Sequence, residues 1–190
     1  MLMQPLDKQD VVKLLNEDGV EAFNQYRRDM GFDELDLSGV EFRQMDLTGI
    51  NLSNANLTAA IFDACYLVDA RLILATLRKT CLVECDFYNA VLEEANLTGA
   101  DISRANFNAA DLSEAMMDQV LAKETNFQDA NLTSTSWKKA QLNDADFTRA
   151  NVSGANFKDA EMEWAVLADL KSDEKTIWGD RKPGNFEPRI

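Results

Sequence analysis

The sequence predicts an all-β solenoid of about seven square coils, with an α-helical cap at its N-terminus. The first observation behind this prediction is that every fifth residue from Leu37 to Leu167 is bulky and apolar. Ala122 is the single exception among these 27 positions. The second observation is that the residue two places earlier is small throughout Ala55 to Ala165, except at Val120. No insertion interrupts either series, so one register extends through most of the chain.

A period of five matches neither regular element, because helices repeat apolar residues about every 3.6 positions and strands about every two. It requires a chain that turns a corner every five residues and directs two side chains of each side inward. Four such sides close a coil of about 20 residues, and successive coils stack at the strand spacing of about 4.8 Å. Residues one coil apart then lie above one another, which predicts a single aromatic column of Phe87, Phe107, Phe127 and Phe147.

Residues 1–33 are predicted to form the helical N-terminal cap, which an open solenoid needs to cover its first coil. Asp7 is a suitable N-cap residue, and the apolar residues within 11–15 supply one buried face. Gly19 is expected to end this helix. A second helix is expected from about Val20 to Met30.

The repeat is predicted to occupy residues 34–169 as one β-helix, because the spacing of five is unbroken there. Residues 170–190 leave the repeat and are predicted to form a C-terminal cap and tail. Within them, Ile177 and Trp178 are expected to cover the apolar end of the last coil.

The repeated unit, Ala-(Asp/Asn)-(Leu/Phe)-x-x, resembles the motif of the pentapeptide-repeat family. Close matches are Ala95-Asn96-Leu97, Ala105-Asn106-Phe107 and Ala145-Asp146-Phe147. The resemblance covers residues 35–169 and implies a right-handed quadrilateral β-helix. The family includes proteins that protect DNA gyrase from drugs and resemble DNA in shape and charge, so the resemblance implies DNA mimicry as one possible function. In those relatives the C-terminal end is a dimer interface, so a homodimer through Trp178 is expected as one alternative.

The composition argues against catalysis and against a bound cofactor or metal. The chain has no His, and its three Cys lack the paired spacing of a zinc site. Its carboxylates are spread over outward positions without a neighbouring nucleophile and base, so we expect no enzyme activity. No stretch approaches the length of about 18 apolar residues that a membrane span needs, and the first residues lack the features of a signal peptide. We therefore expect a cytoplasmic protein.

The cysteines have a structural interpretation. Cys65 and Cys85 fall at the small inward positions of neighbouring coils, so we expect buried thiols. Their parallel side chains are poorly oriented for a disulfide. Cys81 is expected to face outward.

An outward apolar patch is predicted in the second and third coils, where most other outward positions are polar. Its candidate partner-binding residues are Tyr66, Val68, Ile73, Leu74, Tyr88 and Val91. A contiguous exposed apolar patch marks an interaction site, and Tyr is enriched in such sites. The leading hypothesis is therefore a non-catalytic scaffold that binds another protein, of unknown identity. Scattered tolerance of apolar residues, or cover by the N-terminal cap, would explain the same residues without a function.

The acidic surface supports a competing hypothesis. The net charge is −14, and the candidate acidic face comprises Asp46, Asp69, Asp86, Asp129 and Asp146. Two neighbouring sides carry a net −10 over a length in which B-DNA would carry about 19 charges. The alternative function is thus a DNA-mimicking modulator of DNA gyrase or of another DNA-binding enzyme. Direct binding of nucleic acid is not expected, because like charges repel.

Overall fold

The computed structural model describes residues 6–31 and 34–179. The predicted tail beyond Gly179 and the first residues of the predicted cap lie outside this description. The chain begins with two helices, α1 over Lys8–Glu17 and α2 over Gly19–Asp29. Asp7 caps α1 as predicted, since its carboxylate accepts hydrogen bonds from the backbone N–H groups of Gln9 and Asp10. Gly19 has a φ of +79°, which ends α1 and starts α2 in a new direction.

The rest of the described chain is a stack of 20-residue coils. Parallel β-bridges join residues 20 apart without interruption, from Asp36–Asn56 to Asn151–Lys171. Each side contributes one isolated bridge, and residues 34–179 contain no longer strand. The predicted four-sided coil with five residues a side is therefore confirmed. We number the coils by residues, the first as 36–55, the second as 56–75 and the third as 76–95.

Each side has the same internal plan. In a representative side, the N–H of Leu57 donates to the carbonyl of Thr76 in the next coil at 2.7 Å. The N–H of Ala60 then donates to the carbonyl of Leu57 at 2.9 Å, which closes a tight corner. The third residue of that turn, Ala59, has a φ of +57°, as type II turns require. The same corner repeats along the chain, so every fifth residue must adopt a backbone conformation with positive φ.

The interior is filled by stacked apolar columns. Phe87, Phe107, Phe127 and Phe147 form the predicted aromatic column, with successive ring centroids 4.6, 5.5 and 5.0 Å apart. Trp137 is fully buried beside this column and contacts Phe127 edge to face at 5.3 Å. Its indole N–H donates to the Thr135 hydroxyl oxygen at 2.7 Å, so the buried polar atom is satisfied.

The helices contact the first coil through polar side chains. The Asn24 amide donates to the carbonyl of Gly49 at 2.9 Å and accepts from the N–H of Asn51 at 2.8 Å. Arg27 is buried, and its guanidinium donates to the carbonyl of Ser53 at 2.6 Å. These bonds fix α2 against one edge of the first coil.

At the C-terminal end the bridge ladder continues to Ile177, beyond the predicted boundary at residue 169. The last bridge joins Asn156 to Ile177, which are 21 residues apart rather than 20. The extra residue places Ile177 at an outward position, where it is 50 % exposed. Ile177 therefore does not cover the last coil, contrary to the prediction. Trp178 takes the inward position and stacks on Phe157 at 5.1 Å.

Candidate protein-binding surface

The structure brings the six predicted patch residues together on two neighbouring sides and their corners. We call this set the apolar patch: Tyr66, Val68, Ile73, Leu74, Tyr88 and Val91. Tyr66 is 58 % exposed, Leu74 51 % and Tyr88 47 %, and the other three are half-buried. Three large, half-exposed side chains within two coils are the main accessible apolar surface of this part of the molecule.

Backbone hydrogen bonds fix the relative positions of the patch residues. Val68 and Tyr88 occupy the same corner position in adjacent coils, where the N–H of Asp69 donates to the carbonyl of Tyr88 at 3.0 Å. On the next side, the N–H of Leu72 donates to the carbonyl of Val91 at 2.7 Å. The stacking of coils thus places Tyr88 next to Val68 and Val91 next to Arg71, and one corner separates the two sides.

Leu74 has an unusual backbone conformation for an apolar residue. Its φ is +58°, within the left-handed region. Of the 23 non-glycine residues with positive φ in the described chain, Leu74 and Trp164 alone are large and apolar. This conformation costs about 1–2 kcal/mol for an L-residue, and Asn or Gly adopts it with less strain. Leu74 is therefore not the residue that stability alone favours at this corner.

The N-terminal helices leave the apolar patch accessible. Their hydrogen bonds reach Ser38, Gly49, Asn51 and Ser53, all in the first coil. Tyr66, Leu74 and Tyr88 remain exposed although both helices pack on the neighbouring first coil. Cover by these helices does not account for the patch.

The predicted acidic face is only partly one continuous surface. Asp46, Asp86 and Asp146 lie in one bridge ladder, but Tyr66, Asn106, Asn126 and Val166 share that ladder with them. Asp69 and Asp129 lie at its corner. The Arg149 guanidinium holds the pKa of Asp129 below its ordinary value through two hydrogen bonds of 2.7 and 2.6 Å. This ion pair neutralises one of the five carboxylates.

Local hydrogen bonds also engage the remaining carboxylates. Bonds from the side chain and N–H of Thr48 lower the pKa of Asp46. Burial acts to raise the pKa of Asp146, but hydrogen bonds from Thr148 and Gln128 outweigh it and lower that pKa. Asp46 and Asp146 therefore stay ionised at neutral pH while they also stabilise their corners.

Further exposed apolar residues were not predicted as sites. Met116, Leu121, Trp164 and Val166 are 46, 39, 49 and 45 % exposed. The sequence alone could have identified these residues, because all four occupy positions that the period of five directs outward. Met116 and Leu121 lie on different sides of a later coil, away from the apolar patch.

The cysteines behave as predicted. Cys65 and Cys85 are buried free thiols, and burial raises the pKa of both. Cys81 is a half-buried free thiol at an outward bridge position. Within residues 6–31 and 34–179, no cluster of His, Cys, Asp and Glu side chains is arranged to hold a metal ion. The described helices are also too short and too polar for any of them to cross a membrane.

Comparison with known proteins gives a consistent family assignment. A family model described as pentapeptide repeats matches residues 36–72 and 70–108, and one described as a pentapeptide repeat region matches residues 92–167. No curated protein sequence matches the chain.

Three solved structures illustrate the structural similarity. The pentapeptide repeat protein Rfr23 from the cyanobacterium Cyanothece 51142 is 22 % identical, with 83 % of this chain and 99 % of that chain covered and a TM-score of 0.38. QnrB1, a plasmid-mediated fluoroquinolone resistance protein, is 17 % identical over 74 % and 82 %, with a TM-score of 0.41. HetL, involved in heterocyst differentiation regulation in Nostoc sp. strain PCC 7120, is 23 % identical over 78 % and 93 %, with a TM-score of 0.22.

Proposed function

The chain belongs to the pentapeptide-repeat family, and from that premise we propose that it is a non-catalytic scaffold for protein–protein interaction whose partner binds the apolar patch. In this proposal the stack is the right-handed quadrilateral β-helix of that family, about seven coils long, and α1 and α2 form its cap. Because the interior is filled by apolar side chains, any ligand must be recognised on the outer sides.

The observation that carries this proposal is the exposure of Tyr66, Leu74 and Tyr88 within two coils, on two neighbouring sides and their corners. Large apolar residues exposed together favour association, since burying them removes apolar area from water at about 25 cal/mol per Å². Leu74 adds a second argument. A strained left-handed residue that is also exposed and apolar lowers stability, and partner binding would offset that cost.

The proposal is tested by capture experiments with matched variants. The double variant Tyr66→Glu/Leu74→Glu places charge in the patch without touching the buried columns, so it should fold and lose the partner. Met116→Glu/Leu121→Glu is the control, because it adds the same charges at other half-exposed apolar positions. Immobilised wild-type protein and both variants are compared for bound proteins from a lysate of the source organism.

Size-exclusion chromatography of the same proteins determines whether the partner is a second copy of the chain. Far-UV circular dichroism and thermal unfolding establish that both variants keep the fold. A protein bound by the wild type and the control, but not by the patch variant, supports the proposal. Equal capture by all three proteins would remove the apolar patch as the interaction site.

A second candidate function, a DNA-mimicking modulator of DNA gyrase or of another DNA-binding enzyme, is favoured by Asp46, Asp86 and Asp146 in one ladder. The neutral residues between them and the Arg149–Asp129 ion pair weaken the likeness to DNA. A gyrase supercoiling titration at two salt concentrations tests it. Inhibition or drug protection at micromolar protein that disappears as salt rises supports mimicry, because charge-driven binding is screened by salt.

A further inference from the structure

We propose that the partner of the apolar patch is a cationic amphipathic segment, in which apolar side chains are flanked by Lys or Arg. This inference rests on the proposed function, since it names the chemistry of the segment that the patch would bind. It is carried by the carboxylates around the patch and by their ion-pairing state.

Six carboxylates surround the apolar patch, and we call them the acidic rim: Asp46, Asp69, Asp86, Glu93, Glu94 and Asp111. Bridges place Asp46 and Asp86 on either side of Tyr66. On the next side, Val91 forms a bridge with Asp111. The N–H of Leu74 donates to the carbonyl of Glu93 at 3.0 Å, which sets Glu93 and Glu94 one coil beyond the corner that holds Leu74.

The acidic rim forms no ion pair within the described residues. Some other corner carboxylates do pair with an Arg one coil away, Glu84 with Arg104 at 2.8 Å and Asp129 with Arg149 at 2.6 Å. Arg71 lies beside Val91 in the bridge ladder, and it too has no ion pair in the described chain. Six carboxylates against one Arg leave the surroundings of the patch strongly negative.

This arrangement selects among partners that could cover the patch. Apolar side chains would gain by contact with Tyr66, Leu74 and Tyr88, while Lys or Arg beside them would meet the acidic rim. A nucleic acid or an anionic membrane would be repelled. A second copy is also disfavoured, because each chain carries a net charge of −14.

The test uses the full chain and three synthetic peptides of about 18 residues, each long enough for about five helical turns. The first is an amphipathic helix of Leu and Lys. The second contains the same residues in an order that gives no apolar face, and the third has Glu in place of every Lys. Fluorescence anisotropy measures the dissociation constants. We expect the first peptide to bind at least about tenfold more tightly than either of the others.

Variants of the chain separate the two contributions. Tyr66→Ser/Leu74→Ser keeps the net charge and should weaken binding of the first peptide by about tenfold or more. Glu93→Gln/Glu94→Gln keeps the apolar patch and should weaken binding by roughly fivefold, with a shallower dependence on salt. The matched control is Asp159→Asn/Glu161→Gln, which removes two charges far along the stack and should change the dissociation constant by less than about twofold.

Three results would overturn the inference. One is equal binding of the peptide without an apolar face, which would indicate charge attraction alone. Another is binding that the Tyr66→Ser/Leu74→Ser variant does not weaken. The third is a patch-dependent preference for the Glu peptide, for zwitterionic vesicles or for a second copy. The proposed function fails by a different result, namely capture of the same proteins by the Tyr66→Glu/Leu74→Glu variant and the wild type.

Discussion

At the scale of single residues, the corner sets the most stringent condition on this sequence. Every corner places its third residue in the left-handed region, yet glycine fills it at only four described corners, Gly39, Gly49, Gly99 and Gly154. The remaining 23 described corners carry other residues, and several of these are Asn or Asp, which tolerate this conformation. Arg104 and Arg149 gain ion pairs to the preceding coil, whereas the Leu74 side chain is 51 % exposed and forms no ion pair.

Gly99→Ala tests the energetic cost of a corner. Gly99 has a φ of +70°, and an added Cβ would meet only the flexible Lys79 side chain at 3.8 Å. The effect should therefore come from backbone strain, with a loss of about 1 kcal/mol in the free energy of unfolding. Urea denaturation measures it. Gly99→Asn is the control and should lose less, because Asn tolerates this conformation. An Ala variant as stable as the wild type would contradict the strain argument.

At the scale of elements, a side chain of α2 takes the place of a backbone hydrogen-bond partner for the first coil. In later coils, the N–H at the bridge position donates to a carbonyl of the preceding coil, as Ile61 does to Val40 at 2.8 Å. Asn51 has no such coil before it, and its N–H donates to the Asn24 side chain instead. The same amide donates to the carbonyl of Gly49, so Asn24 continues the ladder into α2.

Asn24→Ala should therefore destabilise the junction between α2 and the first coil. We expect a loss of about 1–3 kcal/mol in the free energy of unfolding, because two part-buried backbone groups lose their partner. Chemical denaturation gives the loss, and amide hydrogen exchange of Asn51 should become faster. The exposed Asn16→Ala is the control, with a change of less than about 0.5 kcal/mol. Unchanged exchange at Asn51 would show that the bond contributes little.

The repeat was predictable because each of its constraints recurs. The spacing of bulky residues predicted the 20-residue register, and the Phe87 to Phe147 column follows from that register. The apolar patch was predictable for the same reason, since outward positions are known once the register is known. The positions of the acidic rim residues could likewise be predicted from the stacking of neighbouring coils alone.

The junctions were less predictable because single contacts determine them. Nothing in the spacing around Asn24 and Arg27 indicates which carbonyl they will meet. The extra residue before Ile177 could not be predicted from the spacing either. It is accommodated in a loop that the Asp173 carboxylate closes by accepting hydrogen bonds from the N–H groups of Lys175 and Thr176. Ile177 was expected to cover the last coil, but the insertion places it at an outward position.

At the scale of the whole molecule, charge is unevenly distributed over the stack. Five cations project from the corners of the side that contains Leu37, and none forms an ion pair in the described chain: Arg78, Lys79, Lys138, Lys139 and Lys158. Most carboxylates lie on the other sides. Because many like charges are held near one another at strand spacing, self-repulsion should oppose the folded state.

This repulsion predicts that salt stabilises the protein. Raising sodium chloride from about 20 mM to about 300 mM shortens the screening length, so the melting temperature should rise. The matched variant is Asp46→Asn/Asp86→Asn/Asp146→Asn, which removes three charges and should show a smaller rise. Asn can keep these corners, since Asn106 accepts the N–H of Asn108 at 3.1 Å just as Asp86 accepts that of Tyr88 at 3.0 Å. A melting temperature that falls as salt increases would instead show that the surface ion pairs contribute more than the repulsion.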